Sequence, residues 1–265
     1  MNTWTAGKIK ALKGERKFAC LTAYDYSTAR AVDEAGIELI LVGDSLAMTM
    51  LGYETTIPAT MEEMLHHAAA VVRGTRDALV VADMPFMSYQ VSVAQALENA
   101  GRFIKESGAG AVKIEGGACR TETVEALVRN GIPTLSHIGL TPQSINEMGG
   151  YKIQGRKNEH AQQLLDDARA LARAGSFGIV LECIPAGLAA DITAAVDIPT
   201  IGIGAGNGCD AQILVTHDLL GLHSSLKTPK FVKQYASLGD EMKKAFEAYK
   251  AEVEDSTFPS EEHSY

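Results

Sequence analysis

Six short apolar runs of this chain each carry or hand over to an ionisable residue. Asp25 follows Phe18–Thr22, and Asp44 and Ser45 follow Leu39–Val42. Asp83 follows Ala78–Ala82, Lys113 and Glu115 lie in and just after Ala111–Ile114, His137 lies in Thr134–Ile138, and Glu182 follows Gly178–Leu181. Charges inside or beside apolar runs are costly unless they are paired or metal-bound, so this placement calls for a site. Asp44, Asp83 and Glu115 form the sharpest group. Three carboxylates converging on one opening repel one another unless a cation sits among them. An oxygen-only donor set selects a hard ion such as Mg²⁺ over zinc. For a single aspartate the simpler expectation is an N-cap on the following helix, with Glu115 pairing with Lys113; the three together point to a metal.

Lys113 and Glu115 are two residues apart, so in a strand they point to the same face. A lysine between Val112 and Ile114 must find a carboxylate, and either a structural ion pair or a contact with an anionic substrate answers that need. A Schiff-base lysine is a third possibility. Glu182, between Leu181 and Cys183-Ile184-Pro185, sits in apolar company that raises a carboxyl pKa and suits a general acid or base; a glutamate bonded to a neighbouring loop reads equally well. His137 is expected to be a satisfied core histidine, and His66-His67 a surface or packing pair. The stretch Ile201 to Asn207 holds G-x-G but not G-x-G-x-x-G, a weak dinucleotide signal. It stands where barrels often bind phosphate, although its glycines also suit close backbone approach.

These residues need a scaffold that presents strand ends together. The near-continuous apolar runs, joined by Pro199–Ile203, are those of strands covered on both faces. Segments of helical period lie between them. Ser92 with Gln95 forms a capping-box start; Val93, Ala96, Leu97, Ala100, Phe103 and Ile104 follow at helical spacing, and Gly108 stops the run. Leu164, Leu165, Ala168, Leu171 and Ala172 repeat the pattern before Gly175, and Asn130-Gly131 ends a further helix. Strand–helix alternation over 265 residues fits a parallel eight-stranded (β/α)8 TIM barrel, typically about 250 residues, better than an open doubly wound sheet. Gln212–Val215 is the candidate eighth strand, although it follows the seventh too closely for an ordinary crossover helix. Extra helices flank the barrel, the C-terminal one carrying Met242, Phe246, Tyr249 and Val253, and the tail from Ser256 is expected to be loosely held. Residues 1–265 read as one catalytic domain.

Composition excludes several classes. With 46% hydrophobic and 22% charged residues the chain is an ordinary globular protein. No apolar run approaches the roughly 18 residues of a membrane span, and the Lys-rich N-terminus has no apolar leader core. The net charge of −9, without a basic stripe, argues against nucleic acid. Cys20, Cys119, Cys183 and Cys209 are scattered, which suggests neither zinc nor disulfides and fits the cytoplasm.

Several stretches together resemble the ketopantoate hydroxymethyltransferases. They are Thr22-Ala23-Tyr24-Asp25, Val42-Gly43-Asp44-Ser45-Leu46, Ala82-Asp83-Met84-Pro85-Phe86-Met87 and Val112-Lys113-Ile114-Glu115-Gly116-Gly117. His137 to Ser144, Gly149 to Arg156, Leu181 to Pro185, the Ile201 to Gly206 loop, His217-Asp218 and Phe258-Pro259 continue the series in order. Ala59 and Asn207-Gly208-Cys209-Asp210 depart from the family pattern, the latter beside a loop that bears on folate. The resemblance implies transfer of a one-carbon unit from 5,10-methylenetetrahydrofolate to C3 of 3-methyl-2-oxobutanoate. The product is 2-dehydropantoate, a precursor of pantothenate and coenzyme A. It also implies Mg²⁺ and a homo-oligomer, commonly a decamer. Carried over by position, Asp44 and Asp83 bind the metal and Glu115 supports it. Asp44, Ser45, Asp83 and Lys113 contact the keto acid, and Glu182 is the proton acceptor. The chemistry is coherent, since a 2-oxo acid offers Mg²⁺ a five-membered chelate and the metal stabilises the enolate formed when C3 loses its proton. The rivals are a Mg²⁺-dependent lyase or mutase of the phosphoenolpyruvate type, a phosphate-binding barrel, and a catalytically idle barrel, which would have shed these acidic residues.

Overall fold

A computed structural model describes residues 3–222 and 228–265. Eight parallel strands close on themselves in sequence order, with β8 paired to β1. The strands are β1 (Phe18–Thr22), β2 (Leu39–Val42), β3 (Leu79–Asp83), β4 (Ala111–Glu115), β5 (Thr134–Gly139), β6 (Gly178–Glu182), β7 (Thr200–Ile203) and β8 (Ala211–Leu214). Helices α1 (Ala6–Lys10), α2 (Tyr26–Glu34), α3 (Leu46–Thr49), α4 (Met61–Gly74), α5 (Val93–Arg102), α6 (Thr121–Arg129), α7 (Ile145–Met148), α8 (Asn158–Arg173) and α9 (Ala186–Ala195) precede and alternate with them.

Strands β2 to β7 have two buried faces, and alternate residues serve each. Ile40, Val42, Val80, Ala82, Val112 and Ile114 pack outward with helix residues such as Val32, Met64, Ala100 and Leu127. Leu39, Leu41, Leu79, Val81, Ala111, Leu135 and Val180 fill the barrel lumen, and Ile9 of α1 joins that inner cluster. Helix punctuation is local. Thr60 and Glu63 form a complete capping box at α4. Ser92 caps Gln95 N–H at 3.1 Å, but Gln95 Oε1 turns to Val91 N–H, so the box expected there is half made. Gly108, at φ 79°, ends the helical run in the left-handed region, where a β-carbon is disfavoured.

The eighth strand lies one residue earlier than the sequence suggests and reaches β7 through residues 204–210 without a helix. Glycines make that short crossover feasible. Gly204 and Gly206 take φ 62° and 77°, and a β-carbon on Gly206 would stand 2.5 Å from that of Ala186 in α9. Gly208 has the same relation to Ala190 at 3.0 Å. The loop's glycines therefore press the backbone onto α9, the close-approach reading of the motif.

The chain divides into two compact units, Met1–Leu214, which contains the barrel, and Val215–Tyr265. The second holds α10 (Thr216–Leu219) and α11 (Leu238–Glu254). Met242 and Phe246 of α11 line a groove of about 370 Å³ with Leu222. The tail is held more firmly than its polarity suggests. Thr257 and Phe258 N–H donate to Glu252 O at 2.9 and 3.1 Å, and the Phe258 ring packs 5.6 Å from Tyr249. Among the described residues no helix is long and apolar enough to cross a membrane.

Candidate active site

Strand parity assembles the site. In β3, Leu79 and Val81 face the lumen, so Asp83, two residues on and last in the strand, faces it too. The same count carries Ala111 to Lys113 and Glu115, Leu135 to His137, and Val180 to Glu182. Strands β3, β4 and β6 each run one residue further than the sequence suggests, and that last residue is Asp83, Glu115 or Glu182. Parallel registry sets Asp83 beside Lys113 and Glu115 beside His137. All lie at the C-terminal mouth above the apolar lumen, the end where barrels place their chemistry. Asp44 joins them from the loop after β2.

Lys113 Nζ donates to both Asp83 oxygens at 2.8 and 2.9 Å and to Glu115 Oε1 at 3.3 Å. The expected Lys113–Glu115 pair exists, and Asp83 is the nearer partner. Asp44 N–H donates to Asp83 Oδ2 at 3.2 Å, and Gln143 Nε2 donates to Asp44 Oδ2 at 3.0 Å. Neither aspartate caps a helix, so the simpler expectation for each fails. Asp25 does cap, accepting Thr28 N–H of α2 at 2.9 Å. Ser45 Oγ lies 2.7 Å from Tyr24 Oη, and His67 Nδ1 lies 2.6 Å from the Tyr24 carbonyl, so His67 is a packing residue.

His137 departs from expectation. Its Nδ1 stands 3.5 Å from Glu115 Oε1 and its Nε2 3.4 Å from Glu182 Oε2. Both nitrogens are buried, and among the described residues neither makes a hydrogen bond of normal geometry. An unsatisfied buried polar atom is expensive, which marks this histidine as part of the site and not a settled core residue.

Four carboxylates, of Asp44, Asp83, Glu115 and Glu182, thus share the mouth with one ammonium. Burial pushes Asp44 well above the usual carboxylate range, and the charges of Asp83 and Glu115 add to it. Burial likewise raises Glu115 to about 7, against the pull of Lys113, and Glu182 to about 8. Burial and then Lys113 hold His137 well below its ordinary value, so its ring is neutral. For Lys113 burial acts downward, but Asp83, Glu115 and Asp44 together outweigh it and keep the ammonium charged.

Backbone geometry serves the same rim. Gly139 (φ 97°) faces Glu182 in register, and a β-carbon there would meet the Glu182 carbonyl at 2.3 Å. Cys183, directly after Glu182, takes φ 49°, a costly conformation for a residue other than glycine and one that clusters at functional sites.

Among the described residues no three His, Cys, Asp or Glu side chains are already gathered as a ligand set. The donor chemistry nonetheless fits a hard divalent ion. Asp44, Asp83 and Glu115 supply oxygen, and the mouth carries more carboxylate than Lys113 can balance.

Sequence reasoning missed Tyr24, Tyr89 and Gln143. Tyr89 and Gln143 are buried in the site, with Tyr89 Oη donating to Gln143 Oε1 at 2.7 Å. A polar amide soon after the end of a strand, in His137-Ile138-Gly139-Leu140-Thr141-Pro142-Gln143, was the available signal for Gln143. Nothing in the spacing marked the tyrosines.

Residues 3–261 match the family model described as Ketopantoate hydroxymethyltransferase. The 3-methyl-2-oxobutanoate hydroxymethyltransferase of Carboxydothermus hydrogenoformans is 57% identical, the alignment covering 100% of this chain and 96% of that protein. Its namesake from Clostridium novyi is 59% identical over 97% of this chain and 93% of its own length. Among solved structures, a phosphoenolpyruvate phosphomutase from Streptomyces platensis subsp. rosaceus shares the fold, with a TM-score of 0.64 at 14% identity, covering 95% of this chain and 88% of that one.

Proposed function

Because the chain belongs to the ketopantoate hydroxymethyltransferase family, we propose that it moves a one-carbon unit from 5,10-methylenetetrahydrofolate to C3 of 3-methyl-2-oxobutanoate, through the enolate of the keto acid. Water supplies the hydroxyl oxygen, and the products are 2-dehydropantoate and tetrahydrofolate, on the route to pantothenate. The observation that carries this reading is Glu182, a carboxylate raised to about 8 at the rim of an acidic mouth served by one lysine.

Asp44 and Asp83 would hold Mg²⁺, with Glu115 in support. When bound, the ion would polarise the keto and carboxylate oxygens of the substrate and stabilise negative charge on the keto oxygen. Glu182 takes the C3 proton, and its raised pKa places it near neutrality, where a base is most effective. Water displaces both folate nitrogens from the one-carbon unit, each nitrogen keeping its electron pair and gaining a proton. The electron pair released at C3 then bonds that carbon, whose C=O pair moves to oxygen and takes up the proton held by Glu182. Lys113, fixed by Asp83 and Glu115, offsets the charge of the keto-acid carboxylate. Ser45, its hydroxyl held by Tyr24, contacts the substrate from the end of β2.

The same reading includes a cytoplasmic homo-oligomer, the decamer that the resemblance implies; the exposed Phe246 and Tyr249 of α11 offer apolar surface for assembly. Incubating the protein with keto acid, Mg²⁺ and methylenetetrahydrofolate should yield 2-dehydropantoate by mass spectrometry. Equal turnover of a 2-oxo acid without folate would instead favour a lyase or mutase.

A further inference from the structure

Gln143 lies in the turn after β5 and takes no part in the chemistry above, yet it touches two carboxylates of the mouth. The residue is 4% exposed and its side-chain amide is fully used. Nε2 donates to Asp44 Oδ2 at 3.0 Å and to the Met84 carbonyl at 2.9 Å. Oε1 accepts from Tyr89 Oη at 2.7 Å and from Gln90 Nε2 at 3.2 Å. Two donors and two acceptors exhaust the capacity of a primary amide, so its orientation is determined and the NH₂ edge must face Asp44. The backbone N–H of Gln143 donates to Glu115 Oε2 at 3.1 Å. Tyr89 closes the loop, because its oxygen accepts Glu115 N–H at 3.1 Å while its proton goes to Gln143.

We infer that Gln143, oriented by Tyr89, is the positioning residue that aims the Asp44 and Glu115 carboxylates into the barrel mouth. Asp44 stands on a loop after β2, and its backbone alone does not choose which way its oxygens point. The bond from Nε2 claims one Asp44 oxygen and leaves the other for a ligand. Glu115 is held at Oε2 by Gln143 and faces Lys113 and His137 with Oε1. A single residue thus sets two carboxylates, one on the loop after β2 and one at the end of β4, while Tyr89 keeps the amide from flipping. A flipped amide would aim its oxygen at the Met84 carbonyl, which can only accept, and its NH₂ at the Tyr89 hydroxyl proton.

The functional half of this inference rests on the Mg²⁺ reading; the positional half does not. Gln143→Met keeps the length and removes the polar edge, and Tyr89→Phe removes only the hydroxyl that orients the amide. Both variants and the parent should be compared by calorimetric Mg²⁺ titration, by exchange of the keto-acid C3 proton over a range of Mg²⁺, and by crystal structure. Loss of an outer partner typically costs about 10–100-fold in metal affinity, so Gln143→Met should bind Mg²⁺ at least about 10-fold more weakly. Tyr89→Phe should fall in the same direction by less. The exchange rate of each should recover at saturating Mg²⁺, which a general packing defect would not allow. In the crystal, Asp44 should be rotated from its parental orientation. Asp44 and Glu115 unmoved in Gln143→Met would overturn the inference, as would parental Mg²⁺ affinity. If Gln143→Met fails to fold, Tyr89→Phe decides by the same criteria. A parent that binds no Mg²⁺ would sink the metal reading alone, and the orientation of Asp44 in the variants would still decide the positional claim.

Discussion

Lys113 Nζ bonds both oxygens of Asp83, at 2.8 and 2.9 Å, and this two-point contact is the closest ion pair of the barrel mouth. The two residues are side by side in the β3–β4 register, and both are buried. A buried pair of this kind contributes little net stability, because desolvation offsets the attraction. Its value is to hold a permanent positive charge at one edge of an acidic site.

Lys113 should therefore act by charge and not as an imine-forming amine. An imine requires the neutral amine, and Asp83, Glu115 and Asp44 keep Lys113 protonated. Borohydride treatment with keto acid should leave the protein mass unchanged. A stable adduct mapped to Lys113 would reverse the assignment.

Activity should require a divalent ion, because four carboxylates face one ammonium. Chelation should abolish turnover and added Mg²⁺ should restore it. Full turnover by thoroughly stripped protein would rule out the metal reading.

Glu182→Gln separates base from bystander. The amide keeps the shape but cannot accept a proton at neutral pH. Given keto acid and Mg²⁺ without folate, the variant should exchange the C3 proton about 10²-fold more slowly or worse, while still folding and binding both ligands. Asp83→Asn should weaken metal and substrate binding as well. The readout is loss of the C3–H signal by proton NMR in deuterated buffer. Parental exchange by Glu182→Gln would pass the role to His137.

The metal-free protein should lose stability as pH rises from 6.5 to 8.5. Glu115 and Glu182 titrate at about 7 and about 8 in the fold but near 4.3 when unfolded, so in this window the folded state holds protons the unfolded chain has released. Their stabilising effect is complete below the unfolded value and disappears as pH passes the folded one. His137, lowered in the fold, works the opposite way only below about 6.5, outside the window. Each excess proton contributes a slope of about 1.4 kcal/mol per pH unit, so Tm should fall across the range and Glu182→Gln should flatten it. A parental Tm that is level or rising with pH would contradict the charge state drawn for the mouth.

Gly139→Ala tests the backbone contact between β5 and β6. With φ at 97° and the Glu182 carbonyl 2.3 Å from the added carbon, the variant should be destabilised by more than about 1 kcal/mol. Exchange should fall as well, because Glu182 must shift. Denaturant unfolding and the exchange assay check the two effects, and parental values in both would show that the strand end accommodates a side chain.

Sequence alone determined that Lys113 and Glu115 share one face of their strand, and the structure showed that face to be the lumen. Asp83, Lys113, Glu115 and Glu182 lie an even number of residues beyond lumen-facing apolar positions, and the two-residue period of a strand is local physics. Helix stops at Gly108 and Gly131 were legible for the same reason, since left-handed φ values favour glycine. Only the closed tertiary structure decided the rest. That Lys113 prefers Asp83 to Glu115, that His137 stands unsatisfied between two carboxylates, and that Gln143 reaches Asp44 all depend on strand registry and ring closure. The eighth strand belonged to the same class, because its place depends on pairing with β1 across the barrel and on glycines that let the preceding loop press against α9. Periodicity acts between neighbours in the chain, whereas Lys113 meets Asp83 across 30 positions and Gln143 meets Asp44 across 99, and no local preference encodes which of them will meet.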